Sequence, residues 1–309
     1  MPPFRFAVQL SNAESGAAWR ALARKTEDLG YSTLFMPDHL GEQWAPLIAL
    51  TVAAEATTTL RVGTLVLDND FRNPVIMAKE AATLDLLSEG RLELGLGAGW
   101  MRDDYEQSGI TYDAPAVRVD RLREAIAVVK ELWADGQCDA KGDHYRLTRA
   151  TGFPTPHRRP GPLLLVGGGS RTVLALAARE ADIVGVNPRL TEGFYGPQAI
   201  ASAAPEYYDE RLAWVRQAAG DRFESIEVQS LTFVVQVVPN GPELIEQMAS
   251  GFAMTPEQAA ETPAALIGSV DELVETLERR RRRWAMNYWV VHEADMEAFA
   301  PVVARLAGH

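Results

Sequence analysis

Apolar and polar residues alternate at the start of the chain, with Phe4, Phe6, Val8 and Leu10 on one side and Arg5, Ala7 and Gln9 on the other. That two-residue period predicts a strand. The period then lengthens: Trp19, Leu22, Ala23 and Thr26 recur at helical spacing, and Gly30 supplies a stop. An apolar burst from Ser32 to Met36 ends at Pro37-Asp38-His39, a helix-compatible run spans Leu47 to Ala56, and Leu60 to Leu67 again reads as a strand. Asn73-Pro74 opens a helix that runs to Ser88, with proline in the first turn where its missing N–H costs nothing. Leu92 to Leu96 is the fourth strand, followed by a long amphipathic helix from Arg118 to Trp133. Leu163 to Val166, Thr172 to Arg179 and Ile183 to Val186 continue the alternation as strand, helix and strand. Strand-like Ile226 to Val238, helical Val270 to Arg283 and a last strand Tyr288 to Val291 complete it.

Strands separated repeatedly by helices pair in parallel through right-handed crossovers. Roughly eight such units in about 300 residues predict a closed (β/α)8 TIM barrel in one domain, residues 1–309. Three stretches exceed ordinary connections, 135–161, 187–202 and 239–268, and are expected to be insertions at the C-terminal mouth of the barrel.

The charge balance narrows the function. Lysine plus arginine is 30 and aspartate plus glutamate 42, a net charge of −12, which argues against a nucleic-acid partner. No apolar run approaches the roughly 20 residues that span a bilayer. The N-terminus lacks the build of a signal peptide, and one cysteine, Cys138, fits a reducing compartment. The expectation is a cytoplasmic protein with no membrane partner. The five histidines show no metal-ligand spacing, so no metal centre is expected. Gly95-Leu96-Gly97-Ala98-Gly99-Trp100 departs from a dinucleotide fingerprint at its third glycine, and Gly168-Gly169-Ser170-Arg171-Thr172 lacks the closing glycine of a nucleophile elbow.

What remains is chemistry at strand ends, where barrel active sites lie. Asp38-His39 follows strand two, and Asp68 strand three. Gly97-Ala98-Gly99-Trp100 follows strand four, and Gly167-Gly168-Gly169-Ser170 strand five. Glycines there let a ligand approach the backbone, and a glycine bend before a helix aims N–H groups at an anion. Arg5 and Glu93 are expected to form a structural ion pair at the barrel floor, Asp182 to be structural, and Arg279 to Arg283 to be a solvated helix face.

Phe35-Met36-Pro37-Asp38-His39, Arg61-Val62-Gly63-Thr64, Pro74 with Ala78-Lys79 and Ala82-Thr83-Leu84-Asp85, the run Gly90 to Trp100, Val166-Gly167-Gly168-Gly169 and Ala181-Asp182 together resemble the luciferase-like superfamily. Within it the chain looks most similar to coenzyme F420-dependent oxidoreductases. The resemblance implies F420, or alternatively FMN, at the barrel mouth, and a non-proline cis peptide at Leu65-Val66. It implies Asp38 against the ring or its ribityl chain. Thr64, Leu65, Val66, Gly97, Ala98, Gly99 and Asp103 would be further coenzyme contacts, with Gly167, Gly168, Gly169 and Arg189 at the phosphate end. His39, with Asp38, would handle the proton, imidazole being suited to that near neutral pH. Gln9, Trp44 and Trp100 are candidates for touching a small-molecule substrate. Trp100 stands where the sugar-phosphate dehydrogenase branch has an acidic residue. Superfamily members are often dimers, so a homodimer is expected. The alternatives are an FMN-dependent monooxygenase on the same barrel, a barrel glycosidase using Asp38, Asp68, Asp70 or Asp103, and a protein that sequesters the coenzyme without turnover.

Overall fold

The computed structural model describes residues 2–190, 193–194 and 196–309, so part of the 187–202 insertion lies outside the described residues. In chain order the strands are β1 (Arg5–Gln9), β2 (Thr33–Met36), β3 (Arg61–Thr64), β4 (Leu67–Asp68), β5 (Leu92–Gly97), β6 (Gln137–Lys141) and β7 (Arg146–Thr151). They continue as β8 (Leu163–Gly168), β9 (Ile183–Val186), β10 (Glu227–Leu231), β11 (Val234–Val237), β12 (Ala265–Gly268) and β13 (Met286–His292). The helices are α1 (Gly16–Asp28), α2 (Pro46–Ala56), α3 (Pro74–Leu87), α4 (Arg102–Ser108), α5 (Pro115–Asp135) and α6 (Arg171–Glu180). After them come α7 (Pro197–Ala201), α8 (Pro205–Ala219), α9 (Gly241–Gly251), α10 (Pro256–Glu261), α11 (Val270–Trp284) and α12 (Met296–Leu306).

The strands β3, β2, β1, β13, β10, β9, β8 and β5 are hydrogen-bonded neighbours in that order, and β5 pairs back to β3 in parallel. The barrel is closed, the (β/α)8 architecture expected from the alternation. The two faces of β1 separate as its pattern requires: Phe4, Phe6, Val8 and Leu10 pack in the large core between strands and helices. Ala7 instead joins Phe35, Leu165, Ile183 and Val290 inside the barrel.

Beneath that interior layer lies the floor. Arg5 pairs with Glu93 and, at 2.7 Å, with Glu227, while Arg61 Nε reaches Glu93 at 2.6 Å. Tyr288 donates its hydroxyl to Glu93 (2.9 Å) or Thr33 (2.6 Å). Burial alone would raise the Glu93 carboxyl, but Arg5 and Arg61 outweigh it and hold it below its ordinary value. Arg61 and Glu227 extend the expected Arg5–Glu93 pair to four charged members.

Local chemistry explains most element ends. Asn73 caps α3 through its side chain with Pro74 behind it, Ser170 caps α6, and Ser269 with Glu272 forms a capping box on α11. Two of the predicted strands divide. The cis peptide between Leu65 and Val66 separates β3 from β4. The 226–238 run splits into β10, which belongs to the barrel, and β11, which pairs with β12 in a separate two-stranded sheet. The 135–161 insertion is an antiparallel hairpin of β6 and β7 lying along α5, where Glu124 accepts the backbone N–H groups of Asp143, His144 and Tyr145. The basic run on α11 is solvated at Arg279, Arg282 and Arg283, but Arg281 is half-buried over the Phe4 ring and donates to the Pro2 and His309 carbonyls, and Arg280 is buried and donates to the carbonyls of Ala260 and Ala265. Arg279 pairs with Glu261, and Arg283 with Asp209. Asp182 accepts the Leu164 amide at 2.9 Å and ties β8 to the start of β9.

Candidate functional site

A cavity of about 480 Å³ opens at the C-terminal ends of the barrel strands, within the range of small-molecule and cofactor sites. Backbone forms much of its wall. Leu65 and Val66 line it next to Gly97, Ala98 and Gly99 on the neighbouring strand β5, and Gly167, Gly168, Gly169 and Ser170 line it as well. The glycines are required by fit: a Cβ on Gly97 would stand 2.6 Å from Val66 Cγ2, and one on Gly169 would stand 2.5 Å from the Pro188 carbonyl oxygen. Gln9 lines the same space and donates its amide N–H to the Leu65 carbonyl at 3.1 Å, bracing the cis segment.

His39 lines the cavity at the end of β2. Its Nδ1 lies 2.7 Å from Asp104 Oδ2, and the other oxygen of that carboxylate accepts the Leu40 amide at 3.0 Å. Asp104 is buried in the first turn of α4, and the pair fixes Nδ1–H as the donor, leaving Nε2 as the second ring nitrogen for a ligand. The Trp100 ring stands edge-on to the imidazole, with centroids 5.6 Å apart. Asp38 also lines the cavity, but its carboxylate is already engaged by Arg72 (2.5 and 3.0 Å) and by the Asp68 amide (3.0 Å). It pins the end of β2 to the turn after β4.

Three candidates fall elsewhere. Thr64 is fully buried below the cavity, exchanging hydrogen bonds with the backbone of Gly95 across the β3–β5 seam (2.8 and 2.9 Å). Trp44 packs on Trp19 with ring centroids 5.6 Å apart, on the outer face of the barrel. Asp103 is exposed on α4, and its neighbour Asp104 takes the inward position. Of the three insertions, only 187–202 contributes to the cavity among the described residues, through Asn187, Pro188, Arg189 and Leu190.

The structure also assembles residues that no local pattern marks. Arg118 of α5 lines the cavity, donates to the Ala98 carbonyl at 3.2 Å and lies over the Tyr112 ring. Arg211 of α8, 1% exposed, donates to the carbonyls of Gly169 (3.3 Å) and Ser202 (2.7 Å), and its Nη2 has no hydrogen-bond partner among the described residues. Ser202 in turn accepts the Arg189 amide at 2.8 Å. None of Arg118, Arg189 and Arg211 is paired with a carboxylate among the described residues, in a chain of net charge −12. His292, at the end of β13, completes the wall opposite, and burial lowers its pKa against the opposing charge of Asp295. Away from the cavity, Asp120, Glu124 and His144 bring ligand atoms within 4.8 Å of one another, a grouping the sequence spacing does not reveal. Glu124 there is already committed to the hairpin amides.

The arrangement is a slot with peptide walls, an imidazole on one side, and arginines that have no carboxylate partner among the described residues beside a glycine bend and a helix N-terminus. That suits a flat ring carrying an anionic tail.

Comparison with known proteins agrees. The luciferase-like monooxygenase model matches residues 1–302. An F420-dependent glucose-6-phosphate dehydrogenase of Amycolatopsis mediterranei is 34% identical over 169 residues, 52% of this chain and 50% of that protein. The chain thus spans about half the length of that relative. A protein of the same name from Nakamurella multipartita is 28% identical over 304 residues, covering 93% of this chain and 84% of its own. The F420-dependent tetrahydromethanopterin reductase of Methanopyrus kandleri superposes with a TM-score of 0.77 at 17% identity, over 99% of this chain and 98% of that one. The match across residues 1–302, on a closed barrel whose mouth carries this slot, places the chain in the luciferase-like monooxygenase family.

Proposed function

We propose that the protein is a coenzyme F420-dependent oxidoreductase, with residues 1–309 acting as one barrel domain. It moves a hydride between the deazaflavin and a small organic substrate at a C=C, C=N or C=O bond. The observation that carries this reading is the peptide-walled slot ending in arginines that are unpaired among the described residues, supported by relatives whose names state dependence on F420. The residues fit the group. Gly97, Ala98 and Gly99 with Leu65 and Val66 would hold the ring, while Gly167 to Gly169, Ser170 and Arg189 would hold the phosphate end, with Arg211 behind them. Bound there, the deazaflavin supplies a ring carbon that gives or accepts hydride. The chain does the rest: the walls exclude water and orient the substrate, and His39, held by Asp104, delivers or removes the proton at Nε2. Trp100 beside the imidazole shapes the substrate end, and the acidic residue of the sugar-phosphate branch is missing there. The substrate is therefore read only as a small organic molecule.

Absorbance titration tests this. Saturable binding of F420 without binding of FMN supports it; binding of FMN alone favours the monooxygenase reading. At the anion end, a Gly169→Ala methyl would press on the backbone oxygens of Pro188 and Asn187, an overpacking that costs about 1–3 kcal/mol. The variant is expected to bind F420 about tenfold more weakly or worse, read by fluorescence titration.

A homodimer and a cytoplasmic location belong to the same proposal. Helices α2 and α3 are apolar on nearly every side, yet Ile48 (73% exposed), Ile76 (56%) and Leu87 (53%) face outward. Apolar surface of that kind is characteristic of an interface. Sedimentation is expected to give a dimer for the wild type and a monomer for an Ile48→Asp, Ile76→Asp double variant. Among the described residues no helix is long and apolar enough to cross a membrane, and Cys138 is a buried free thiol.

A further inference from the structure

Three carboxyl groups crowd the turn after β4, and the structure treats them unequally. Asp38 is paired with Arg72, and Asp70 with Arg121 at 2.8 Å. Asp68, 8% exposed and lining the cavity, has no cation within ion-pair distance among the described residues. Its Oδ1 accepts the Asp70 amide at 2.9 Å and lies 3.3 Å from the Tyr105 hydroxyl. Its Oδ2 has no hydrogen-bond partner among the described residues.

The facing strand end makes room for that oxygen. Gly99 sits at φ +74°, and a Cβ there would fall 2.4 Å from Asp68 Oδ2 and 1.9 Å from the Tyr105 hydroxyl. A side chain at position 99 and a carboxyl from position 68 exclude one another, and the chain keeps the carboxyl.

We propose that Asp68 is a second acid–base group of the site, distinct from His39, which offers its Oδ2 to the ligand in the cavity and exchanges a proton with it. This rests on the oxidoreductase reading above. Reduction of an unsaturated bond places hydride on one atom and a proton on the other. His39 gives that proton to a substrate whose accepting atom faces the end of β2; to one whose accepting atom faces β4, Asp68 as a carboxylic acid gives it instead, is left as the carboxylate, and is reprotonated from water, and oxidation runs the same exchange in reverse. The charged surroundings permit both forms near neutrality. Burial, aided by the negative charges of Asp70 and Asp38 and opposed by the Asp70 amide and the Tyr105 hydroxyl, pushes Asp68 up to about 7. Arg72 and Arg121 are spent on Asp38 and Asp70. From α5, Arg118 lies over the Tyr105 ring at 5.7 Å. From α4, Asp104 is taken by His39.

The test has two readouts. Carboxyl-carbon NMR of protein labelled at aspartate, without any ligand, is expected to show one resonance titrating near neutral pH that is lost in Asp68→Asn. A value for Asp68 in the ordinary carboxylate range, near 4, overturns the proposal. In single-turnover hydride transfer from reduced F420 to an acceptor, Asp68→Asn is expected to slow the reaction about 10²-fold and remove the fall in rate above pH 7, while Asp68→Glu retains part of both. A wild-type rate and pH profile in Asp68→Asn overturns this proposal alone; failure of the wild type to bind any deazaflavin overturns the reading beneath it as well.

Discussion

Asn in place of His39 is expected to lower the rate of hydride transfer by about 10²–10⁴-fold, the usual contribution of a positioned acid–base group, with coenzyme affinity little changed. Stopped-flow absorbance separates the two, because binding and transfer are read on the same chromophore. The imidazole lies in the cavity wall, away from the glycine bend, so its loss removes a proton carrier while leaving the binding walls in place. Asp104→Asn probes the same point from behind. Asp104 Oδ2 lies 2.7 Å from His39 Nδ1 and can only accept from it. An amide NH2 in that place donates to Nδ1 and turns the ring into the opposite tautomer, so Nε2 has no lone pair for removing a proton and the imidazolium that would deliver one loses its carboxylate partner. The expected loss is in kcat, with KM largely retained. An unaltered rate in both variants would remove His39 from the chemistry.

Glu93→Ala is expected to be the most destabilising single change in the barrel. Glu93 is fully buried and joins Arg5, Arg61 and Tyr288 at the floor. Deleting it leaves Arg61 without its anion and Arg5 with Glu227 alone, a loss of about 3–5 kcal/mol for a broken buried pair. Glu93→Gln is expected to cost less, since the amide still bonds Tyr288. The pH dependence has a definite sign. The folded-state pKa of Glu93 lies below its ordinary value of 4.5, so the stabilisation is fully present above that pH and is lost as pH falls through the depressed folded value. Urea unfolding at neutral and acidic pH checks this: the gap between wild type and Glu93→Gln is expected to narrow below pH 4.5.

The barrel was legible because each strand and helix carries its own period, and a closed parallel sheet follows from repeated crossovers. The elements that escaped have physical reasons. Helix α12 holds Pro301 in its interior, and such a residue reads as a breaker. The β6–β7 hairpin is exposed on both faces over much of its length, so no alternation marks it. At the site, positions defined by backbone approach were readable, because the glycines at 97, 99 and 167 to 169 stand together at strand ends in the sequence itself, although the neighbours that require them are distant in the chain. Side chains delivered from far along the chain were not. Nothing around Arg118 or Arg211 announces a buried guanidinium, and the choice between Asp103 and Asp104 depends on how a seven-residue helix is turned against β2. Thr64 and Trp44 show the opposite error: strand-end position placed them near the mouth, whereas Thr64 points into the β3–β5 seam and Trp44 onto α1.

The central claim is a geometric one, and a crystal structure with F420 soaked into the barrel mouth tests it most directly. The account predicts the tricyclic ring against the wall formed by the Leu65-Val66 peptide and the backbone of Gly97 to Gly99, with the phosphate against Gly167 to Ser170 and Arg189. Density for the ring outside this slot, or a phosphate remote from the glycine bend at saturating coenzyme, would contradict it.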